Sequence, residues 1–321
     1  MKKLLMVIVT SVLVVEIPVL AGPLTLEQVS GTASWVVHAN QQQFRKTKIG
    51  QLVRTEMVNL GLEENLTNFA TIFSFHPLDD VRDVTLYGEG KDRKKAVVLI
   101  DGFFDKEKIL SLLRMNPEYK DTKYGDIVLH QWIDENQKDP NNKMMYGCFY
   151  SNELIVMSAG MDAVKHAVDV LKGSAKNATG GIFNQSALNV KGAFFQARGR
   201  RVGEMVGDDP EAAALKQSDQ IALAVGEADG KFYTEISLTA KSEEAAKAIT
   251  QILEGIIAFA SLPNEEQPNL AEMAKKVKVT CELNTVYIYF GTGPESVVQF
   301  LKEQWQKNQQ QKDSKTTDFK P

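Results

Sequence analysis

Along the chain, short runs in which apolar and polar residues alternate give way repeatedly to segments with apolar residues at helical spacing. Val36-Val37-His38-Ala39-Asn40 reads as a strand, and Lys48-Ile49-Gly50-Gln51-Leu52-Val53 opens an amphipathic helix. The order returns later: Ala193-Phe194-Phe195-Gln196-Ala197-Arg198 is followed by Arg201-Val202-Gly203-Glu204-Met205-Val206. A hairpin comes next in each case. Asp83 to Tyr87 turns through Gly88-Glu89-Gly90 into Ala96 to Ile100, and Asp219 to Val225 turns through Ala228-Asp229-Gly230 into Phe232, Thr234, Ile236 and Leu238.

A helix is expected after each hairpin. Asp105 caps one carrying Ile109, Leu112 and Leu113 on one face; Ser242 caps a longer one with Ala245, Ala248, Ile249, Ile252, Leu253 and Ile256 turned to a core. Two strands and a helix then close each unit. In the first, Met145 to Tyr150 turns into Leu154 to Met157, and Asp162 caps a helix with Val164, Ala167, Val168 and Leu171 inward. In the second, residues 277–283 turn at Asn284-Thr285 into Val286 to Phe290, and Pro294 starts a helix bearing Val297, Val298, Leu301 and Trp305. Cys148 and Cys281 occupy matching places.

The fold expected is α+β: two related halves, each a mainly antiparallel sheet with helices on one face. The halves would span residues 22–172 and 190–306, joined by a small, polar linker at 173–189. Residues 60–75 add a helix to the first half, and the Gln- and Lys-rich residues 307–321 form a disordered tail.

The first 21 residues have the pattern of a secretory signal. Lys2 and Lys3 precede an apolar run over residues 4–15, which Glu16 and Pro18 interrupt, and Val19-Leu20-Ala21 offers a cleavage site. No later segment has transmembrane length without charges, so the expected location is exported, in the periplasm or outside the cell. Of 321 residues, 43% are apolar and 24% charged, and Lys+Arg 37 against Asp+Glu 41 gives a formal net charge of −4. An acidic balance argues against a nucleic-acid partner, and Cys 2 is too few for a disulfide scaffold or a four-ligand zinc site.

The search for chemistry assigns no catalytic residue, metal or cofactor. There is no G-x-S-x-G elbow and no H-E-x-x-H, and His38, His76, His130 and His166 are scattered without metal-ligand spacing. In Asp101-Gly102-Phe103-Phe104-Asp105, a helix cap and a strand exit account for the pattern. Cys148 and Cys281 are read as free core residues; a bridge would require their strands to be adjacent, with Cα atoms within about 7 Å. One constellation points to binding. Arg45, Lys46 and Lys48 follow the first strand of one half, and Arg198, Arg200 and Arg201 follow the first strand of the other. Each set is near a helix start, where backbone N–H groups favour anions. With His38, which aligns with Gln196, they make a candidate site for a phosphate, a sulfated sugar or an acidic partner, although solvated basic turns explain the same charges.

The strand and cap motifs of the first half, from Val36-Val37-His38-Ala39-Asn40 through Val84-Thr85-Leu86-Tyr87-Gly88 to Asp101-Gly102-Phe103-Phe104-Asp105, resemble those of uncharacterised exported proteins of planctomycete-type bacteria. The resemblance reaches about Leu171 and implies export but no activity. The expected function is binding of an unknown ligand or envelope protein through a cleft between the halves, without catalysis. The alternatives are a hydrolase whose site forms only in three dimensions and a structural envelope component whose exposed sheet surface makes a homodimer.

Overall fold

The computed structural model describes residues 24–137, 139, 143–180, 183, 191–201, 203, 216–263 and 268–317. The segment read as a signal lies outside them. The strands are β1 (Trp35–Asn40), β2 (Val81–Gly88), β3 (Val97–Gly102), β4 (Lys120–Tyr124), β5 (Ile127–Ile133), β6 (Met144–Phe149), β7 (Leu154–Ser158), β8 (Ala193–Arg200), β9 (Ser218–Ala228), β10 (Lys231–Ala240), β11 (Val277–Glu282) and β12 (Thr285–Thr292). The helices are α1 (Gln41–Lys46), α2 (Lys48–Asn59), α3 (Leu62–Phe73), α4 (Lys106–Leu113), α5 (Met161–Leu171), α6 (Glu243–Ala260), α7 (Pro268–Ala274) and α8 (Pro294–Thr317). The chain is α+β, and every strand pairing is antiparallel.

All twelve strands belong to one sheet, in the order β11-β12-β10-β9-β8-β1-β2-β3-β7-β6-β5-β4. The expectation of a separate sheet for each half is therefore corrected. β1 and β8 pair along Trp35↔Gly199, Val37↔Ala197 and Ala39↔Phe195, and this ladder makes the sheet continuous. The hairpin β4–β5 is an addition that the apolar pattern does not announce, because β4 reads Lys-Asp-Thr-Lys-Tyr and is exposed along nearly its whole length.

Side-chain alternation decides where the helices go. Val36, Leu99 and Val156 share one face with α5, whose Val164, Ala167 and Val168 bury there. Register carries that face across the sheet from Val36 to Arg198, to Ala222, to Ser237. Ile236 and Leu238 therefore point to the opposite face, where they pack with Ala246, Ile249 and Leu253 of α6. The two main helix layers cover opposite faces of one sheet. Packing also crosses the β1–β8 junction: Phe44 of α1 and Ile49 of α2 bury against Val225, Phe232 and Val297, which come from β9, β10 and α8.

Local signals hold at several points. Asp105 accepts from the Lys108 N–H at 2.9 Å and Ser242 from the Ala245 N–H at 3.2 Å, each capping its helix as expected. Gly102 is required by close approach, since a Cβ there would lie 2.7 Å from the Asp80 carbonyl oxygen. Other expectations fail. Gly160 rather than Asp162 is the N-cap of α5, and Asp162 sits in its first turn, where a negative charge is still favoured. Leu283 is in the β11–β12 turn with φ of 53° and is 77% exposed, so the strand expected over residues 277–283 stops at Glu282. The presumed tail is helical to Thr317.

The described part of the expected linker, residues 173–180 and 183, is packed rather than free. Gly31 donates its N–H to Lys176 at 2.8 Å, Ala178 donates to Val29 at 2.9 Å, and Ser30 and Asn177 form a β-bridge. Ala178 and Phe183 belong to the core under α5. Small residues at 173–180 suit this close apposition as well as they would suit flexibility.

Leu99, 2% exposed at the centre of the α5 core, sets a test. Leu99→Ala should lower unfolding free energy in chemical denaturation by about 2–5 kcal/mol, whereas Lys120→Ala on exposed β4 should stay within about 0.5 kcal/mol of the parent.

Candidate functional site

A recess that combines buried and exposed polar groups lies at one end of β2, where three segments meet. The turn after the 3-10 segment Leu26–Gln28 brings Ser30, Thr32 and Ala33. Strands β2 and β3 with their connection bring Tyr87, Gly88, Glu89, Lys95 and Val97, and α5 brings Ala163 and His166. The cavity volume is about 160 Å³, enough for a handful of waters or a small organic molecule.

The helix spacing explains His166. Val164, Ala167 and Val168 face the core, so Ala163 and His166, three residues apart, border the recess from above. Ser30 is 3% exposed, and its Oγ lies 2.9 Å from His166 Nε2 and 3.0 Å from Thr32 Oγ1, while accepting from the Thr32 N–H at 3.2 Å. Below them is Tyr87, 2% exposed, on the same sheet face as Val36 and Leu99. Its hydroxyl is buried without a hydrogen-bond partner, and burial pushes its pKa upward. Lys95 and Glu89 pair at 3.4 Å on the exposed rim. The Gly88–Gly90 turn is fixed from behind: Gly90 donates its N–H to Ser34 Oγ at 2.9 Å, and Trp35 Nε1 donates to the Gly90 carbonyl at 2.9 Å.

A serine hydroxyl within hydrogen-bond reach of an imidazole is the beginning of a nucleophile and base pair. Here the hydroxyl is enclosed and already engaged by Thr32 from two sides. The histidine–carboxylate contact found among the described residues is His76–Asp79 at 3.1 Å, near the other end of β2. What the recess offers is hydrogen bonding: two hydroxyls, an imidazole and an unsatisfied phenol over an apolar floor.

The residues singled out from the sequence lie elsewhere, and strand polarity separates them. Because β1 and β8 are antiparallel, Arg45 and Lys48 follow the Asn40 end of the ladder, while Arg198, Arg200 and Arg201 are at or beyond the Trp35 end. Six residues of strand put roughly 20 Å between those ends, so the expected paired basic site is not assembled. Each cation has local work. Arg45 donates to the Leu78 carbonyl at 2.8 Å. Lys48 pairs with Glu295, and that hydrogen bond raises its pKa. Arg198 donates to the Phe183 carbonyl, and burial lowers its pKa. Arg201 leaves β8 with φ of 54°.

The helix start thought to favour anions already has one. Glu227 of β9 accepts from the N–H groups of Lys48 at 3.0 Å and Ile49 at 2.9 Å, and Thr47 Oγ1 accepts from Gly50 at 3.0 Å. His38 is 3% exposed in the sheet centre, with Nδ1 2.8 Å from Thr85 Oγ1. Cys148 and Cys281 are free thiols on β6 and β11, with eight strands between those two, so a bridge is geometrically ruled out. Burial pushes the Cys148 thiol up to about 12.

One predicted residue does serve the recess, indirectly. Arg200 donates from Nε to the Ala33 carbonyl at 3.0 Å and from Nη2 to the Thr32 carbonyl at 3.2 Å, bracing the wall that holds Thr32. The expected cleft between halves is replaced by the β1–β8 ladder, and the recess is built wholly from first-half elements. Ser30, Tyr87 and His166 escaped sequence reasoning because 136 residues separate the serine from its histidine. The one local signal is Ser30-Gly31-Thr32, two hydroxyls in a tight turn ahead of a strand.

No protein-family model matches the chain, and no curated protein sequence matches it. Among solved structures it is similar to TP0453. Crystal form III of TP0453 aligns with a TM-score of 0.48 at 7% identity, over 88% of this chain and 99% of that one. Form I gives 0.43 at 9%, over 88% and 98%, and form IV gives 0.45 at 9%, over 85% and 94%. Likeness at this level gives no ground for transferring a function.

Occupation of the α2 start by Glu227 has a measurable consequence. Glu227→Ala should cost about 1 kcal/mol in denaturant unfolding. The parent protein should gain no thermal stability from added phosphate, whereas a phosphate-dependent rise in Tm would restore the anion-site reading.

Proposed function

We propose that this is an exported protein that binds a small polar ligand in the recess between Ser30, Tyr87 and His166, acting by recognition rather than turnover. The observation that carries the reading is the buried Tyr87 hydroxyl without a partner. Leaving such a group unsatisfied costs roughly 1–3 kcal/mol, a cost relieved when a guest supplies an acceptor or donor. Ser30, Thr32 and His166 are within the same wall to complete the contacts.

Export is supported by the charged start and the apolar run over residues 4–15. Duplication is supported by strand order: outward from the centre, one side reads β1-β2-β3-β7-β6 and the other β8-β9-β10-β12-β11. Cys148 and Cys281 fall on the corresponding strands β6 and β11. On this reading the recess belongs to one copy of the repeat, and binding arose after the copies diverged.

A hydrolase is the second reading, favoured specifically by the 2.9 Å contact between Ser30 Oγ and His166 Nε2. The two separate cleanly. Native mass spectrometry of protein recovered from its host should show a small bound mass that Tyr87→Phe removes, with the unliganded Tm unchanged or raised because the hydroxyl has no partner to lose. Absence of any bound mass, or its retention in Tyr87→Phe, overturns the proposal. Turnover of activated esters that disappears in both Ser30→Ala and His166→Ala would establish the hydrolase instead.

A further inference from the structure

Among the described residues the sheet ends at β11, and the residues of that strand are complementary to themselves. Its side chains alternate between half-buried Val277, Val279 and Cys281 on the α6 side and exposed Lys278, Thr280 and Glu282 on the other. Glu282↔Thr285 closes a two-residue turn, so Glu282, Thr280 and Lys278 direct their backbone groups to β12 and Val279 and Cys281 direct theirs to the open edge. An antiparallel copy centred on Thr280 would therefore set Val279 against the partner's Cys281, with each pair exchanging both backbone hydrogen bonds. In the same register Lys278 faces the partner's Glu282, and Glu282 faces the partner's Lys278. Among the described residues neither charge is in an ion pair.

A second observation lies above this edge. Helix α6 packs chiefly over β11, and its core positions are Ala246, Ile249, Leu253 and Ile256. The sequence reading turned Ile252 inward as well, but it is 48% exposed, and Phe259 and Leu262 beyond it are 53% and 57% exposed. Ile252, Gly255 and Phe259 follow one another at spacings of three and four, so they line a second, exposed stripe on the helix, and Leu262 follows just beyond the helix end. The other sheet edge, β4, has no such companion: it is exposed on both faces and carries Lys120, Asp121 and Lys123.

We infer that the β11 edge, together with the outer stripe of α6, is a docking surface for a second copy of this chain, joined through a twofold axis at Thr280. The paired strands would supply directional hydrogen bonds, the two Lys278–Glu282 contacts would fix register, and α6 would pack beside its mate on the same face.

Sedimentation of the full chain should show a monomer–dimer equilibrium. Lys278→Glu alone and Glu282→Lys alone should each weaken it by about tenfold, since each turns two attractive contacts into repulsions, and the double exchange should restore it. Thr280→Cys in a Cys281→Ser background should cross-link under mild oxidation, because residues on the axis face each other. A monomer persisting at millimolar concentration overturns the inference. So does a dimer indifferent to both charge reversals and not trapped by Thr280→Cys, or binding of phosphatidylcholine vesicles through Phe259 with no self-association.

Discussion

Five residue pairs between β1 and β8, from Trp35↔Gly199 to Ala39↔Phe195, determine most of what the rest of the molecule does. They convert two runs of strands into one sheet and leave no gap at the junction. Because the pairing is antiparallel, whatever follows β1 emerges at one end and whatever follows β8 at the other. The helices that follow β1 cross the junction and bury Phe44 and Ile49 against the second half. Glu227 of β9 then caps the start of α2. A boundary that is plain in the sequence is therefore closed twice in space, by a ladder and by exchanged packing.

The opposite placement of α5 and α6 follows from alternation. A residue's face is fixed by its parity in the ladder, and the apolar positions of β10 and β12 have the opposite parity, along the register, to those of β3 and β7. Covering both faces in different regions gives a broad sheet two separate cores instead of one. The recess lies at the rim of the α5 core, where the helix layer thins from apolar Val164 and Val168 to His166, and where the sheet offers Tyr87 in place of another aliphatic residue. Polar groups can be enclosed there without interrupting the packed interior.

Hairpins, caps and the order of elements were legible because they depend on neighbours in sequence: Asp105 and Ser242 cap as expected, and each two-strand unit forms. What was not legible depends on distant partners. β4 has no apolar alternation because it is an edge, and the outer half of the α6 stripe looks the same as its inner half until the sheet is placed against one side. The basic residues looked convergent because the expected repeat would align them, and strand direction, which the sequence pattern does not reveal, moved them apart. The recess was invisible for the same reason, its groups coming from three segments whose meeting depends on topology.

The β-bridge between Ser30 and Asn177, reinforced by Gly31 and Ala178, joins the beginning of the described chain to a segment well over a hundred residues later. That closure gives the recess a place in time as well as in space. A chain delivered from its N-terminus presents Ser30 early, yet Ser30 has no wall to join until α5 and the stretch after it have emerged. Loops of this length close slowly compared with hairpins. The strands β2 to β7 can pair among themselves meanwhile, so the sheet forms around an unfinished corner, and the recess is among the last parts of the first half to close.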